Sequence, residues 1–76
     1  MADPDFRELV EKHTNMVYSV ALRMLGNPHD AEDATQDTFL SAFKSLKSFR
    51  GQSSLSTWLY RIAVNSCLMR LRKEKK

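Results

Sequence analysis

The chain has 76 residues, a net charge of +3, 42% hydrophobic residues, two glycines, two prolines and one cysteine. That length allows one small core with a thin stability margin, and the mixed composition excludes collagen-like, disulfide-stapled and disordered chains. The apolar runs are too short to span a membrane, the acidic start Met1-Ala2-Asp3-Pro4-Asp5 lacks a signal peptide's apolar stretch, and the lone Cys67 suits a reducing cytoplasm.

The first element is a helix from about Pro4 to Leu25. Asp3 can cap it and Pro4 suits its first position. Phe6, Leu9, Val10, Val17, Val20, Ala21 and Met24 recur at steps of three and four, an apolar stripe. Gly26 stands where a helix turns off into left-handed backbone. The second helix runs from Pro28 or His29 to Leu46, with Asn27 as its cap and Asp30 and Glu32 in its first turn. Ala31, Ala34, Thr35, Thr38, Phe39, Ala42, Phe43 and Leu46 form its less polar side. Asp30, Asp33 and Asp37 share another face. A loop, Lys47 to Ser53, turns at Gly51. Ser53 or Ser54 then caps a third helix from Leu55 to Arg72. Leu55, Trp58, Leu59, Ile62, Ala63, Ser66 and Met69 repeat along it at helical spacing. The expected fold is all-α: one domain over residues 1–76, a small antiparallel three-helix bundle with a basic C-terminal helix.

Charge divides along the chain. Residues 1–43 carry eight acids against Arg7, Lys12 and Arg23, a net of −5. Residues 44–76 carry nine lysines and arginines against Glu74, a net of +8. A basic half suits a polyanion, or is a solvated tail; an acidic half suits a different partner.

Three ordered blocks go further. Asp33-Ala34-Thr35-Gln36-Asp37-Thr38-Phe39 with Ala42-Phe43, then Phe49-Arg50-Gly51, then Thr57-Trp58-Leu59-Tyr60-Arg61-Ile62-Ala63-Val64-Asn65 resemble region 2 of extracytoplasmic function (ECF) sigma factors. The resemblance covers about residues 6–72. It implies a transcription initiation factor domain that binds core RNA polymerase and the promoter minus-ten element, in the cytoplasm and as a monomer. Such factors carry a second helical domain that reads the minus-thirty-five element. That domain is absent from these 76 residues, so a fragment is expected.

By the same resemblance, the second helix docks on a coiled coil of the polymerase β′ subunit. Asp33, Gln36, Asp37, Phe39 and Phe43 would be contacts, with Asp30 on the same face. Carboxylates can pair with partner arginines and an exposed ring can anchor. For Asp30 the alternative is a role limited to the helix dipole. For Phe39 and Phe43 it is burial, since aromatics four residues apart usually pack inward, and Phe43 is expected to be largely core.

The loop would capture a base flipped from the single-stranded non-template strand of the minus-ten element, and so help to melt the duplex. Gly51, Gln52, Ser53 and Ser54 offer close backbone approach and hydrogen-bonding groups, and Arg50 a phosphate contact. In the third helix Tyr60 and Arg61 fall in the segment linked to melting. Asn65, Ser66, Met69, Arg70 and Arg72 are candidates for base-edge or phosphate contact. Trp58 is expected in the core. His13 and His29 are expected at the surface or its edge, and Cys67 as a small buried hydrophobe. No nucleophile–base pattern, phosphate-binding glycine loop or metal-ligand spacing is recognisable, so neither enzyme activity, cofactor nor metal is expected. An anti-sigma factor is the implied regulatory partner. The alternatives are a helical protein-interaction module (an anti-sigma or adaptor fragment) and a helix-turn-helix regulator that binds duplex DNA.

Overall fold

The computed structural model describes residues 6–46 and 54–74. Among them α1 spans Phe6–Leu25, α2 spans Pro28–Ser45 and α3 spans Leu55–Glu74. The expected start at Asp3 and Pro4 lies outside the described residues, and α3 runs two residues past Arg72.

The helix ends follow from local chemistry. Gly26 adopts φ +70°, and its N–H donates to the Leu22 carbonyl at 2.8 Å. A side chain there would meet nothing within 4 Å, so the glycine is needed for its backbone and not for space. Asn27 is extended, with φ −149° and ψ 123°, and its side chain accepts from the Asp30 N–H at 3.0 Å. Pro28 then opens α2, where its missing N–H costs nothing. Ser54 caps α3: its hydroxyl oxygen accepts from the Thr57 N–H at 3.1 Å. Each such cap is worth about 1 kcal/mol.

Each pair of helices packs together. Phe6, at the start of α1, meets Phe43, near the end of α2, edge to face at a ring-centroid distance of 5.1 Å. α1 and α2 are therefore antiparallel, and so are α2 and α3, since Ala31 and Ala34 early in α2 cluster with Cys67 late in α3. Leu9, Val17, Phe39, Ala42, Leu59 and Ala63 form one core cluster, with Trp58 half-buried against it. Ala21, Ala31, Ala34 and Cys67 form the second, at the α1–α2 turn. Alanines at these positions let the backbones approach closely. Thr35 and Thr38 are buried as well, and their hydroxyls donate to the carbonyls of Ala31 and Ala34, both at 2.7 Å. Buried hydroxyls satisfied in this way carry little penalty.

Two aromatic expectations change. Phe43 is 62% exposed, with its ring against that of Phe6. Phe39 is the buried member of the pair, at 8%. His13 lies at the edge of the core, within what was expected. It falls between Leu9 and Val17 on the buried line of α1, half-buried, and its Nδ1–H donates to the Leu9 carbonyl at 2.9 Å.

Candidate protein and nucleic-acid interface

The seating of α3 determines what it can present. Leu59, Ala63 and Cys67, at steps of four, are fully buried. Cys67 continues this line inward, where the spacing had pointed to Ser66 and Met69. Ser66 is half-buried and Met69 is 59% exposed. Burial pushes the Cys67 thiol above its ordinary range, and the nearby Arg70 guanidinium pulls it partly back. Leu55, Trp58 and Ile62 pack half-buried beside this line, and the opposite side of the helix is left outside. Tyr60, Arg61, Asn65, Met69 and Arg72 are exposed, and Leu68 lies beside them. Arg61, Asn65, Met69 and Arg72 fall at steps of four, four and three, so they form one outward row.

The acidic helix shows a different surface. Gln36 and Asp37 are exposed, while Asp30 and Asp33 are half-buried. Asp33 lies 3.9 Å from His29 one turn earlier. Phe43 ends this face as an open ring, and Leu40 is 60% exposed beside it. Phe39 does not belong to the contact surface. Its ring supports the face from beneath, and a partner could reach it only by repacking the core.

The charge division in the sequence does not produce two separate surfaces. An Arg70 guanidinium N–H donates to the Asp37 carboxylate at 3.1 Å, joining α3 to α2. A groove of about 460 Å³ opens around this pair, lined by Asp37, Leu40, Ser41 and Lys44 of α2 and by Ser66, Met69, Arg70 and Lys73 of α3. Four of its residues, Leu40, Ser41, Lys44 and Lys73, are not among the residues singled out from sequence. Their spacing could have shown them: 37, 40, 41 and 44 share one face of α2, and 66, 69, 70 and 73 one face of α3. Arg50, Gly51, Gln52 and Ser53 lie outside the described residues. Ser54 is exposed and serves as a helix cap.

Residues 9–76 match the model of the family described as sigma-70 region 2. The chain belongs to that family. It is similar to the ECF RNA polymerase sigma factor SigW of Bacillus subtilis, with 43% identity over 70 residues covering 92% of this chain and 37% of that protein. It is 46% identical to the ECF RNA polymerase sigma factor SigG of Mycobacterium tuberculosis over 67 residues, which cover 88% of this chain and 18% of that protein. The ECF RNA polymerase sigma-E factor of Haemophilus influenzae is 43% identical over 61 residues, covering 80% of this chain and 32% of its own length. This sigma region 2 chain thus spans well under half the length of these relatives. The match takes in all of α2 and α3 and most of α1, so both the acidic face and the outward row of α3 lie within it. Among the described residues no helix is long and apolar enough to cross a membrane, and no group of His, Cys, Asp and Glu is placed to hold a metal ion.

Proposed function

We propose that this chain is the part of a transcription initiation factor that docks on core RNA polymerase and engages the promoter minus-ten element. Family membership supports the class, since the similar proteins are named as ECF RNA polymerase sigma factors. The observation that carries the DNA half is the outward row Arg61, Asn65, Met69 and Arg72 on α3. Arginines neutralise phosphate, an asparagine amide can read a base edge, and exposed apolar side chains pack against unstacked bases. Tyr60, half exposed at the start of the row, offers a ring for stacking. Ser66 and Arg70 border it on the groove side, and Arg50, Gly51, Gln52, Ser53 and Ser54 complete the proposed base-capturing surface.

The polymerase half rests on Asp33, Gln36, Asp37 and Phe43, with Asp30 at the margin. Accessible carboxylates near an open ring suit a basic helical partner such as the β′ coiled coil. An anti-sigma factor would be the natural competitor for that surface. The polymerase supplies the chemistry of RNA synthesis, and this chain biases the strand-separated state by binding it in preference to the closed duplex. This work belongs in the cytoplasm, where polymerase and promoter are.

The test compares a fluorescent minus-ten single strand with the matching duplex at equal salt. Tighter binding of the single strand is expected, with affinity falling steeply as salt rises. Preference for the duplex would favour a helix-turn-helix regulator, and binding of neither a protein-interaction module. For the polymerase face, Asp33→Lys should weaken binding to core polymerase without lowering the melting temperature. Asp33 is cleaner than Asp37 for this purpose because Asp37 also holds Arg70.

A further inference from the structure

The groove of about 460 Å³ between α2 and α3 has a lining that the two proposed surfaces do not use up. Leu40, Ser41, Lys44 and Lys73 have no part in either. Leu40 and Met69, 60% and 59% exposed, stand in its two walls, one from each helix. We infer that this groove is a binding site for a free guanine mononucleotide.

The lining is graded from end to end. Lys44, Ser41 and Ser66 lie toward one end, where no carboxylate is among the lining residues. The Asp37–Arg70 pair lies at the other. Leu40 and Met69 come between them. Asp37 and Lys44 are two helical turns, about 10 Å, apart along α2. A mononucleotide has a similar reach from its phosphate to the far edge of its base. At the first end Lys44 supplies charge for a phosphate, and the two serine hydroxyls can donate to it. In the middle, aliphatic side chains on facing walls suit the two faces of a flat ring. At the far end the ion pair presents an acceptor beside a donor. Its hydrogen bond uses one carboxylate oxygen and one guanidinium nitrogen, so capacity remains on both groups. Guanine offers two adjacent N–H groups to a carboxylate and a carbonyl to the arginine; adenine offers one N–H group and no carbonyl. The Arg70 side chain, only 25% exposed and held by Asp37, is oriented before the ligand arrives. Three cations against one carboxylate favour an anion, and the volume is that of a small-molecule site. A second copy of the chain seated groove to groove would set Lys44, Arg70 and Lys73 against the same cations.

The experiment titrates GMP, AMP, guanosine and inorganic phosphate into the isotope-labelled chain and follows the backbone amides by NMR. The variants are Lys44→Ala, Asp37→Asn and Arg23→Ala, each checked for helix content. GMP should shift the amides of residues 40–44 and 66–70. It should bind about tenfold more tightly than guanosine or phosphate, because both of its halves contribute. It should bind about fivefold more tightly than AMP, the worth of one partly solvated hydrogen bond. Lys44→Ala should weaken GMP about threefold. Arg23→Ala, which removes an exposed cation of α1 outside the groove, should not. In Asp37→Asn the side-chain amide can donate, so xanthosine monophosphate, with a carbonyl where guanine has its amino group, should gain on GMP. No groove shift with GMP overturns the site. Equal binding of GMP and AMP, or an unchanged base preference in Asp37→Asn, overturns the guanine edge. Equal losses in Lys44→Ala and Arg23→Ala reduce the effect to general charge attraction and overturn it as well. A minus-ten single strand that moves the same amides as strongly, at equal phosphate concentration, gives the groove to the strand; the free-nucleotide site then falls while the DNA reading stands.

Discussion

Helices α2 and α3 are of similar length but are used differently. α2 buries six side chains, Ala31, Ala34, Thr35, Thr38, Phe39 and Ala42, and keeps a narrow acidic outer face. α3 buries Leu59, Ala63 and Cys67, and leaves Tyr60, Leu68 and Met69 in solvent beside Arg61, Asn65 and Arg72. The bundle is therefore built around α2, while α3 is fully buried along one line only, flanked by the half-buried Leu55, Trp58 and Ile62, and keeps its opposite side available. A helix that must both stabilise a small core and meet a long ligand can do so when small and medium residues at four-residue steps suffice to seat it. The apolar side chains left outside are then an indication of a ligand.

The comparison can be broken most severely at the seat of α3. Leu59→Ala should cost about 2–5 kcal/mol, the range for emptying a packed leucine site. In so small a core that would unfold much of the population, as urea titration followed by circular dichroism would show. By contrast Met69→Ala, at a 59% exposed position on the same helix, should leave the urea midpoint nearly unchanged. Equal losses at the two positions would contradict the single-line seating. On the binding side, Arg61→Ala should leave stability intact and lower single-strand affinity severalfold, with the salt slope reduced by about 0.7 for one lost phosphate contact. An unchanged slope would take Arg61 off the DNA path.

The helix ends should respond less. Gly26→Ala should cost about 1–2 kcal/mol, because alanine is strained at φ +70° although space is open around it. Asn27→Ala should cost about 1 kcal/mol through loss of the α2 cap. The smallest effect concerns pH. The Cys67 thiol is raised in the fold, so the folded state favours its neutral form. Its contribution is complete below the ordinary thiol range and is lost as pH rises through that range, where the unfolded chain ionises first. Wild type should therefore lose stability relative to Cys67→Ala on moving from pH 7 to pH 10, as parallel urea titrations would show. A difference that stays constant with pH would remove the effect.

Much of this was legible from local pattern. The Gly26-Asn27-Pro28 sequence allows a left-handed residue, a cap and a first helical position in that order, and the structure uses each so. Asp30, Asp33 and Asp37 share a face by spacing alone, and Cys67 was expected inside. The aromatic pair was less tractable. Residues four apart are offset by about 40° around a helix, so Phe39 and Phe43 carry nearly the same periodic signal. The ends of the core decide between them. Phe39 packs into the cluster with Leu9 and Val17 of α1 and Leu59 and Ala63 of α3, whereas Phe43 meets Phe6 at the rim and stays 62% exposed.

What the sequence determined by itself is the set of helices, the caps of α2 and α3 and the family to which the α2 and α3 motifs belong, because caps, periodicity and motif spacing are all local in the chain. Only the tertiary structure decided which apolar residues stay outside and which charges meet. Asp37 and Arg70 are 33 positions apart and belong to the halves of opposite net charge. A tally along the chain separates them, and antiparallel packing of α2 on α3 brings them to 3.1 Å.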